Sequence, residues 1–131
     1  MRLGDFSVLT FDCYGTLIDW ETGICEAIRP WLERQGASAT RERILAAFAE
    51  AEAPQQAATP GLRYPELLAR VHMSMAAQLG VAPDAEAAAA FGRSIADWPA
   101  FADSAAALAP WRSSQGRIAS QMPVSQSIRV P

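Results

Sequence analysis

The residues best suited to chemistry lie near the start of the chain, between Thr10 and Asp19. Asp12 directly follows residues 6–11, a short run of apolar and β-forming residues that predicts a buried strand. In a parallel α/β sheet, ligands bind just outside the carboxyl ends of the strands. An aspartate there can attack a bound electrophile and form a covalent ester or acyl phosphate, which water then cleaves. We therefore predict that Asp12 is a catalytic nucleophile.

The residues after Asp12 indicate a sharp turn beside this carboxylate. Gly15 permits an unusual backbone conformation, and N–H groups around it can face an anion. Thr16 can orient an oxygen of the carboxylate or of a substrate by hydrogen bonding. Asp-x-x-Gly is also a common turn signal, so a structural turn aspartate is the alternative. The position directly after the first strand, with a long helical stretch to follow, favours the catalytic interpretation.

Composition narrows the class of protein. The 131 residues suffice for one domain, and the net charge of -3 argues against a nucleic-acid or anionic-membrane partner. No apolar run approaches the roughly 20 residues of a transmembrane helix, and no signal-peptide pattern opens the chain. Cys13 and Cys25 are the only cysteines and stand apart, which predicts buried thiols and no disulfide or zinc framework. We expect a cytoplasmic protein.

Helical patterns occupy most of the chain after the strand. One runs from Glu21 to Gly36, and Pro30 within it predicts a kink or two short helices. Further features follow in chain order: Thr40 as an N-cap, a loop over 53–61, a helix from Pro65 to Gly80, Asp84 as an N-cap, and a helix over 103–109 stopped by Pro110. Beyond residue 110 the periodicity ends, which leaves a single predicted strand.

The segment from Phe11 to Leu17 resembles the first motif of the haloacid dehalogenase (HAD) superfamily, and its Asp-x-Tyr-Gly-Thr-Leu form is similar to the type II, L-2-haloacid dehalogenase branch. The helices that follow resemble that family's cap domain, and Trp98 to Ser104 resembles the return from cap to core. The resemblance implies an α/β fold with a HAD-like (Rossmann-like) core, here incomplete, and an inserted helical cap. It divides the chain into core start (1–19), cap (20–98), return (99–110) and a divergent tail (111–131).

What the resemblance implies for the site begins with Asp12 as nucleophile, with Thr16 as a polar neighbour and Tyr14 lining the pocket. In phosphatases of the superfamily, the residue two after the nucleophile is usually an acid that handles the leaving-group proton. Tyr14 is a poor proton donor at neutral pH, because a phenol has a pKa of about 10. A halide leaves without a proton, so the expected reaction converts a 2-haloacid to a 2-hydroxy acid with no cofactor. A magnesium-dependent phosphatase is the alternative, and a non-catalytic helical interaction protein is another.

Two further assignments concern basic side chains. The family supplies an arginine from its cap to bind the substrate carboxylate, and Arg41 and Arg43 lie at about the right distance along the chain. We select Arg43 as the substrate-binding candidate, with a solvated helix-surface arginine as the alternative. His72, the only histidine, lies beside an apolar helical stripe and is expected to have a structural role.

The family's remaining motifs are expected after the cap: a Ser or Thr following a second core strand, a basic residue that is usually Lys, and an acidic loop that holds magnesium in phosphatases. This sequence contains no lysine and no acid after Asp103. Ser120, after Arg117-Ile118-Ala119, is a candidate remnant of the first of these. We therefore expect an inactive chain with an incomplete core, a truncated or frame-shifted reading, and low stability or homo-oligomerisation as the consequence.

Overall fold

The computed structural model describes residues 8–112 and 117–121, and it describes only the backbone of Leu9, of 110–112 and of 117–121. Most of these residues are helical. In chain order the elements are β1 (Val8–Asp12), α1 (Trp20–Arg34), α2 (Arg41–Ala58), α3 (Tyr64–Leu79), α4 (Ala85–Ser94), a short 3-10 helix (Ile95–Asp97), α5 (Ser104–Arg112) and β2 (Arg117–Gln121).

The chain forms two compact units. The strand unit comprises the described residues of Met1–Trp20 and Pro99–Pro131, and the helical unit comprises Glu21–Trp98. The strand unit contains β1, β2 and α5. Its two strands lie parallel, with Val8 opposite Arg117 and Asp12 opposite Gln121. The expectation of a single strand is therefore wrong, because residues 117–121 supply a second one.

The sequence missed β2 for a physical reason. A strand is recognised from a run of apolar or alternating residues, and Arg117–Gln121 (RIASQ) has neither pattern. Parallel strands also need a long connection, here residues 13–116, so no hairpin turn signals the pairing. This distant segment pairs with one edge of β1.

Local signals for the helix ends are confirmed. The Thr40 side chain accepts from the Arg43 N–H, and the Asp84 side chain accepts from two N–H groups of α4. Pro65 lies in the first turn of α3, and Gly80 ends that helix at φ 70°.

Proline was a poorer guide to helix ends. Pro30 lies within one helix, α1, so a division into two short helices is wrong. α2 runs through Pro54 to Ala58, which replaces most of the loop predicted over 53–61, and α5 continues past Pro110. Pro30 and Pro54 lie on exposed faces, where water can bond the carbonyl that loses its N–H partner.

The core of the helical unit comes from one face of each of four helices. The apolar stripes predict it well: the largest fully buried side chains include Trp31, Phe48, Phe91, Ile24, Ile28 and Leu68. Leu45, Leu79 and Ile95 are half-buried. Two glycines allow close approach. A Cβ at Gly23 would lie 2.4 Å from the Trp98 ring, and one at Gly92 would lie 2.3 Å from the Pro65 carbonyl oxygen.

In the described part of the chain, no helix combines the length and apolarity needed to cross a membrane.

Candidate active site

Asp12 is the last residue of β1, and its side chain is exposed. Because β1 and β2 are parallel, their carboxyl ends share one edge of the sheet, and Gln121 ends β2 opposite Asp12. This is the edge at which α/β sheets bind ligands. A carboxylate there is accessible to a small electrophile, as the predicted nucleophile requires.

The chain turns sharply after Asp12 in a segment that we call the nucleophile loop, residues 13–18. The loop is wound around the Cys13 carbonyl oxygen, which accepts from the N–H groups of Leu17 at 2.8 Å and Ile18 at 2.9 Å. The backbone N–H of Thr16 donates to the same oxygen at 3.4 Å. Gly15 has φ 81°, a left-handed conformation that other residues adopt at a cost, and its N–H donates to the Ile18 carbonyl oxygen at 2.9 Å.

These bonds correct one expectation. The N–H groups around Gly15 were expected to face an anion, but those from Gly15 to Ile18 all donate to carbonyl oxygens within the loop. Their effect is to hold the loop in one shape. The loop therefore fixes the backbone beside Asp12.

The return segment of the strand unit packs along the other side of the nucleophile loop. Ile18 forms an antiparallel bridge with Ala100, and the Asp19 N–H donates to the Pro99 carbonyl oxygen at 2.8 Å. The Leu17 carbonyl oxygen accepts twice, from the Phe101 N–H at 3.1 Å and from the Ser104 hydroxyl at 2.9 Å.

Ser104 is the residue of this site to which the sequence assigned no role. It is buried, at 6% exposure, and is the first residue of α5. A serine at the start of a helix usually indicates an N-cap residue. No local pattern indicates a bond to a carbonyl 87 residues earlier, although Ser104 does end the stretch that resembles the family's return to the core.

The two predicted pocket residues lie in the nucleophile loop. Tyr14 is half-buried and its backbone forms a bridge with Ile18, whereas Thr16 is exposed. Both are therefore within a few residues of Asp12 in a loop of defined shape. Their roles toward a substrate stay predictions.

Cys13, the residue after Asp12, is a free and buried thiol, as predicted. Burial, and then the negative charge of Asp12, raise the pKa of the Cys13 thiol. It therefore stays protonated at neutral pH and is a poor nucleophile, because the thiolate is the reactive form. Asp12 is the better candidate for attack.

The arginine candidates belong to the helical unit. Arg43 Nη2 donates to the Gln78 carbonyl oxygen at 2.6 Å, near the C-terminal end of α3, where a cation interacts favourably with the helix dipole. Arg41 pairs with Glu21 at 2.9 Å and also donates to Thr22 Oγ1 at 3.2 Å. Both arginines thus have structural contacts, and the substrate-binding role of Arg43 stays a prediction.

His72 is a core residue of the helical unit, at 1% exposure. Its ring lies 4.0 Å from that of Trp31, centroid to centroid, and 5.7 Å from that of Phe91. Burial lowers the pKa of His72 to about 4, with Asp84 raising it and Arg34 lowering it. This is the structural role that the sequence predicted.

Two remaining predictions concern later motifs. Ser120 lies in β2 and pairs in register with Phe11, one position before the residue opposite Asp12, so its backbone is close to the carboxyl edge of the sheet. Among the described residues, no group of three or more His, Cys, Asp or Glu side chains is arranged to hold a metal ion.

The chain is similar to known proteins in structure. No protein-family model and no curated protein sequence matches the chain. In structure, the chain is similar to a crystal structure of a defluorinating L-2-haloacid dehalogenase, with a TM-score of 0.72 and 19% sequence identity. The match covers 85% of this chain and 48% of that one, so the chain spans about half the length of its structural neighbour. The fold is therefore HAD-like, a partial HAD core with cap-type helices.

Proposed function

We propose that the chain carries the nucleophile half of a HAD-type hydrolase, in which Asp12 displaces halide from a 2-haloacid. One observation carries the proposal. Asp12 is an exposed carboxylate at the carboxyl end of a parallel strand, and a shaped loop follows it. The likeness to an L-2-haloacid dehalogenase supports the fold in which that placement is used, and the motif from Phe11 to Leu17 supports the reaction.

The proposed reaction has two steps. A carboxylate oxygen of Asp12 attacks C2 of the 2-haloacid, the C–O bond forms, and the halide leaves with the bonding pair. Water then attacks the carbonyl carbon of the Asp12 ester. The acyl–oxygen bond breaks, which restores the Asp12 carboxylate and gives the 2-hydroxy acid and one proton to solvent. The halide leaves without a proton, which agrees with a tyrosine at position 14, and the alkoxide released from the ester takes one of the two protons of the attacking water.

Arg43 is the proposed partner of the substrate carboxylate. A guanidinium carries five N–H donors, so the bond to the Gln78 carbonyl leaves others for a carboxylate. The lysine that the family uses to balance charge at the nucleophile is absent from these 131 residues. We therefore expect catalytic turnover to be undetectable and covalent capture at Asp12 to be the readable step.

The test is a search for that adduct. The purified chain is incubated with an L-2-haloacid such as 2-chloropropionate, digested, and analysed by mass spectrometry for an ester on the peptide that contains Asp12. The expected result is modification at Asp12 that disappears in Asp12→Asn and persists in Asp97→Asn, a matched change at an exposed aspartate of the 3-10 helix. Incubation in ¹⁸O-labelled water should place the label in the Asp12 carboxylate wherever the ester is hydrolysed.

Other outcomes point elsewhere. Phosphate release from an aryl phosphate that requires both Asp12 and magnesium would replace the dehalogenase proposal with a phosphatase. If no adduct forms with either class of substrate over long incubation, the nucleophile assignment fails. The interaction-protein alternative would then be favoured.

A further inference from the structure

The hydrogen bonds of the strand unit connect Ser104 to the backbone beside Asp12 through a single peptide group. This group joins Leu17 to Ile18. Its carbonyl oxygen accepts from the Ser104 hydroxyl at 2.9 Å, and its N–H donates to the Cys13 carbonyl oxygen at 2.9 Å. Cys13 is the residue directly after Asp12.

A peptide group that is bonded at both ends is fixed in orientation. The peptide plane is rigid, so holding its C=O on one side sets the direction of its N–H on the other. Hydrogen bonds in such a chain also polarise and strengthen one another. The Phe101 N–H donates to the same Leu17 carbonyl oxygen at 3.1 Å, so the return segment holds this peptide from two points.

Because Ser104 is buried, its hydrogen bond to the Leu17 carbonyl oxygen restrains the loop more strongly than a surface contact would. Ser104 is only 6% exposed, and a buried hydroxyl without a hydrogen-bond partner is unfavourable. Breaking its hydrogen bond to the Leu17 carbonyl oxygen would leave the buried Ser104 hydroxyl without this partner, so the bond is expected to persist. The hydroxyl comes from the start of α5, 87 residues after Leu17.

We propose that Ser104 is a positioning residue for the nucleophile: its hydroxyl, through the Leu17–Ile18 peptide, holds the Cys13 carbonyl and so sets the direction of the Asp12 carboxylate. This inference rests on the proposed function for its consequence in catalysis, but the restraint on the loop is independent of it. Displacement reactions depend steeply on the alignment of the attacking atom, and small misplacements cost large factors in rate.

The experiment compares Ser104→Ala, which removes the donor, with Ser104→Thr, which retains it, and Ser104→Cys, which keeps the shape with a weaker donor. Ser94→Ala is the matched control, because Ser94 also donates its hydroxyl to a backbone carbonyl, that of Phe91 at 2.7 Å, but in the helical unit. Amide hydrogen exchange is measured residue by residue in the full chain, and the rate of adduct formation at Asp12 is measured in parallel.

The expected result is local. In Ser104→Ala, exchange at the Leu17 and Ile18 amides should rise about tenfold, the factor for one lost hydrogen bond, while exchange across Glu21–Trp98 stays unchanged. Ser104→Cys should give a smaller rise, Ser104→Thr should restore the parent rate, and Ser94→Ala should leave the loop unaffected. Adduct formation at Asp12 should fall in the same order as loop exchange rises.

The results that overturn the proposal are also distinct. Unchanged loop exchange in both Ser104→Ala and Ser104→Cys, or an equal rise across both units, would show that Ser104 does not act on the loop specifically. Adduct formation unaffected by loosened loop amides would show that the loop does not direct Asp12. A parent chain that forms no adduct would refute the proposed function, while the exchange data would still decide whether the restraint exists.

Discussion

Acidification from pH 6.5 toward pH 4 should destabilise the helical unit through one residue, His72. The imidazole is 1% exposed and is enclosed by the rings of Trp31 and Phe91. Two charged groups act on it with opposite sign, Asp84 favouring the protonated ring and Arg34 opposing it. Because burial dominates, the pKa of His72 falls from its ordinary 6.5 to about 4, and the folded protein holds the ring neutral.

The size of the effect follows from linkage. Between pH 6.5 and pH 4 the unfolded chain binds a proton at His72 and the folded chain does not, so stability falls as the pH falls. Each pKa unit corresponds to about 1.4 kcal/mol, so the loss is roughly 3 kcal/mol at about pH 4. At pH 5 the loss relative to pH 8 should be about 2 kcal/mol. Above pH 7 the group should have no influence.

The assay has two parts. Urea unfolding is followed by tryptophan fluorescence between pH 8 and pH 5 in the parent and in His72→Phe, which places an apolar ring among the aromatic neighbours. The pKa values of the Glu42 and Asp84 carboxyls are lowered in the folded protein, so their contributions to stability are lost only as the pH falls to about 4 and below. The range from pH 8 to pH 5 therefore isolates the effect of the histidine. The parent should lose stability with falling pH, whereas His72→Phe should stay nearly constant.

The second part measures the imidazole itself. His72 is the only histidine in the sequence, so its ring proton resonance can be assigned without ambiguity. A midpoint near 6.5 in the folded protein, or equal pH dependence in the parent and in His72→Phe, would refute the reasoning. Either result would mean that the ring is hydrated in solution.

Two further predictions concern glycines and use the free energy of unfolding in urea as their measure. Gly92→Ala should destabilise the protein by about 1–3 kcal/mol despite the better helix propensity of alanine, because the new Cβ would lie 2.3 Å from the Pro65 carbonyl oxygen. Gly61→Ala is the control, because a Cβ there would have no atom within 4 Å. Equal stability of the two variants would contradict the packing at Gly92. Gly15→Ala should cost about 1–2 kcal/mol because φ is 81°, and Gly15→Asn should cost less, since asparagine adopts that region more readily; equal costs would argue against the loop conformation.

Local signals in the sequence were sufficient for much of the helical unit. Thr40 and Asp84 begin helices because their side-chain oxygens accept backbone N–H groups within three residues, a contact that needs no tertiary structure. Gly80 ends a helix for an equally local reason, its left-handed φ of 70°. The apolar stripes predicted the buried faces, because burial repeats with the helix period. The position of Asp12 at the end of a strand also followed from a local signal, the run of apolar and β-forming residues before it.

What the sequence could not determine depends on partners that are distant along the chain. β2 has no strand pattern of its own and exists through its pairing with β1, and the Ser104 hydroxyl finds its acceptor 87 residues away at Leu17. The prolines within helices are of the same kind, since only the folded structure decides whether the freed carbonyl faces water. The sequence alone therefore determined the helix boundaries set by capping residues and the position of Asp12 after a strand, whereas tertiary structure decided which backbone and side-chain groups bond to the loop that follows Asp12. The physical reason is range: capping and amphipathicity act within a few residues, whereas strand pairing and buried hydroxyl bonds join segments that only folding brings together.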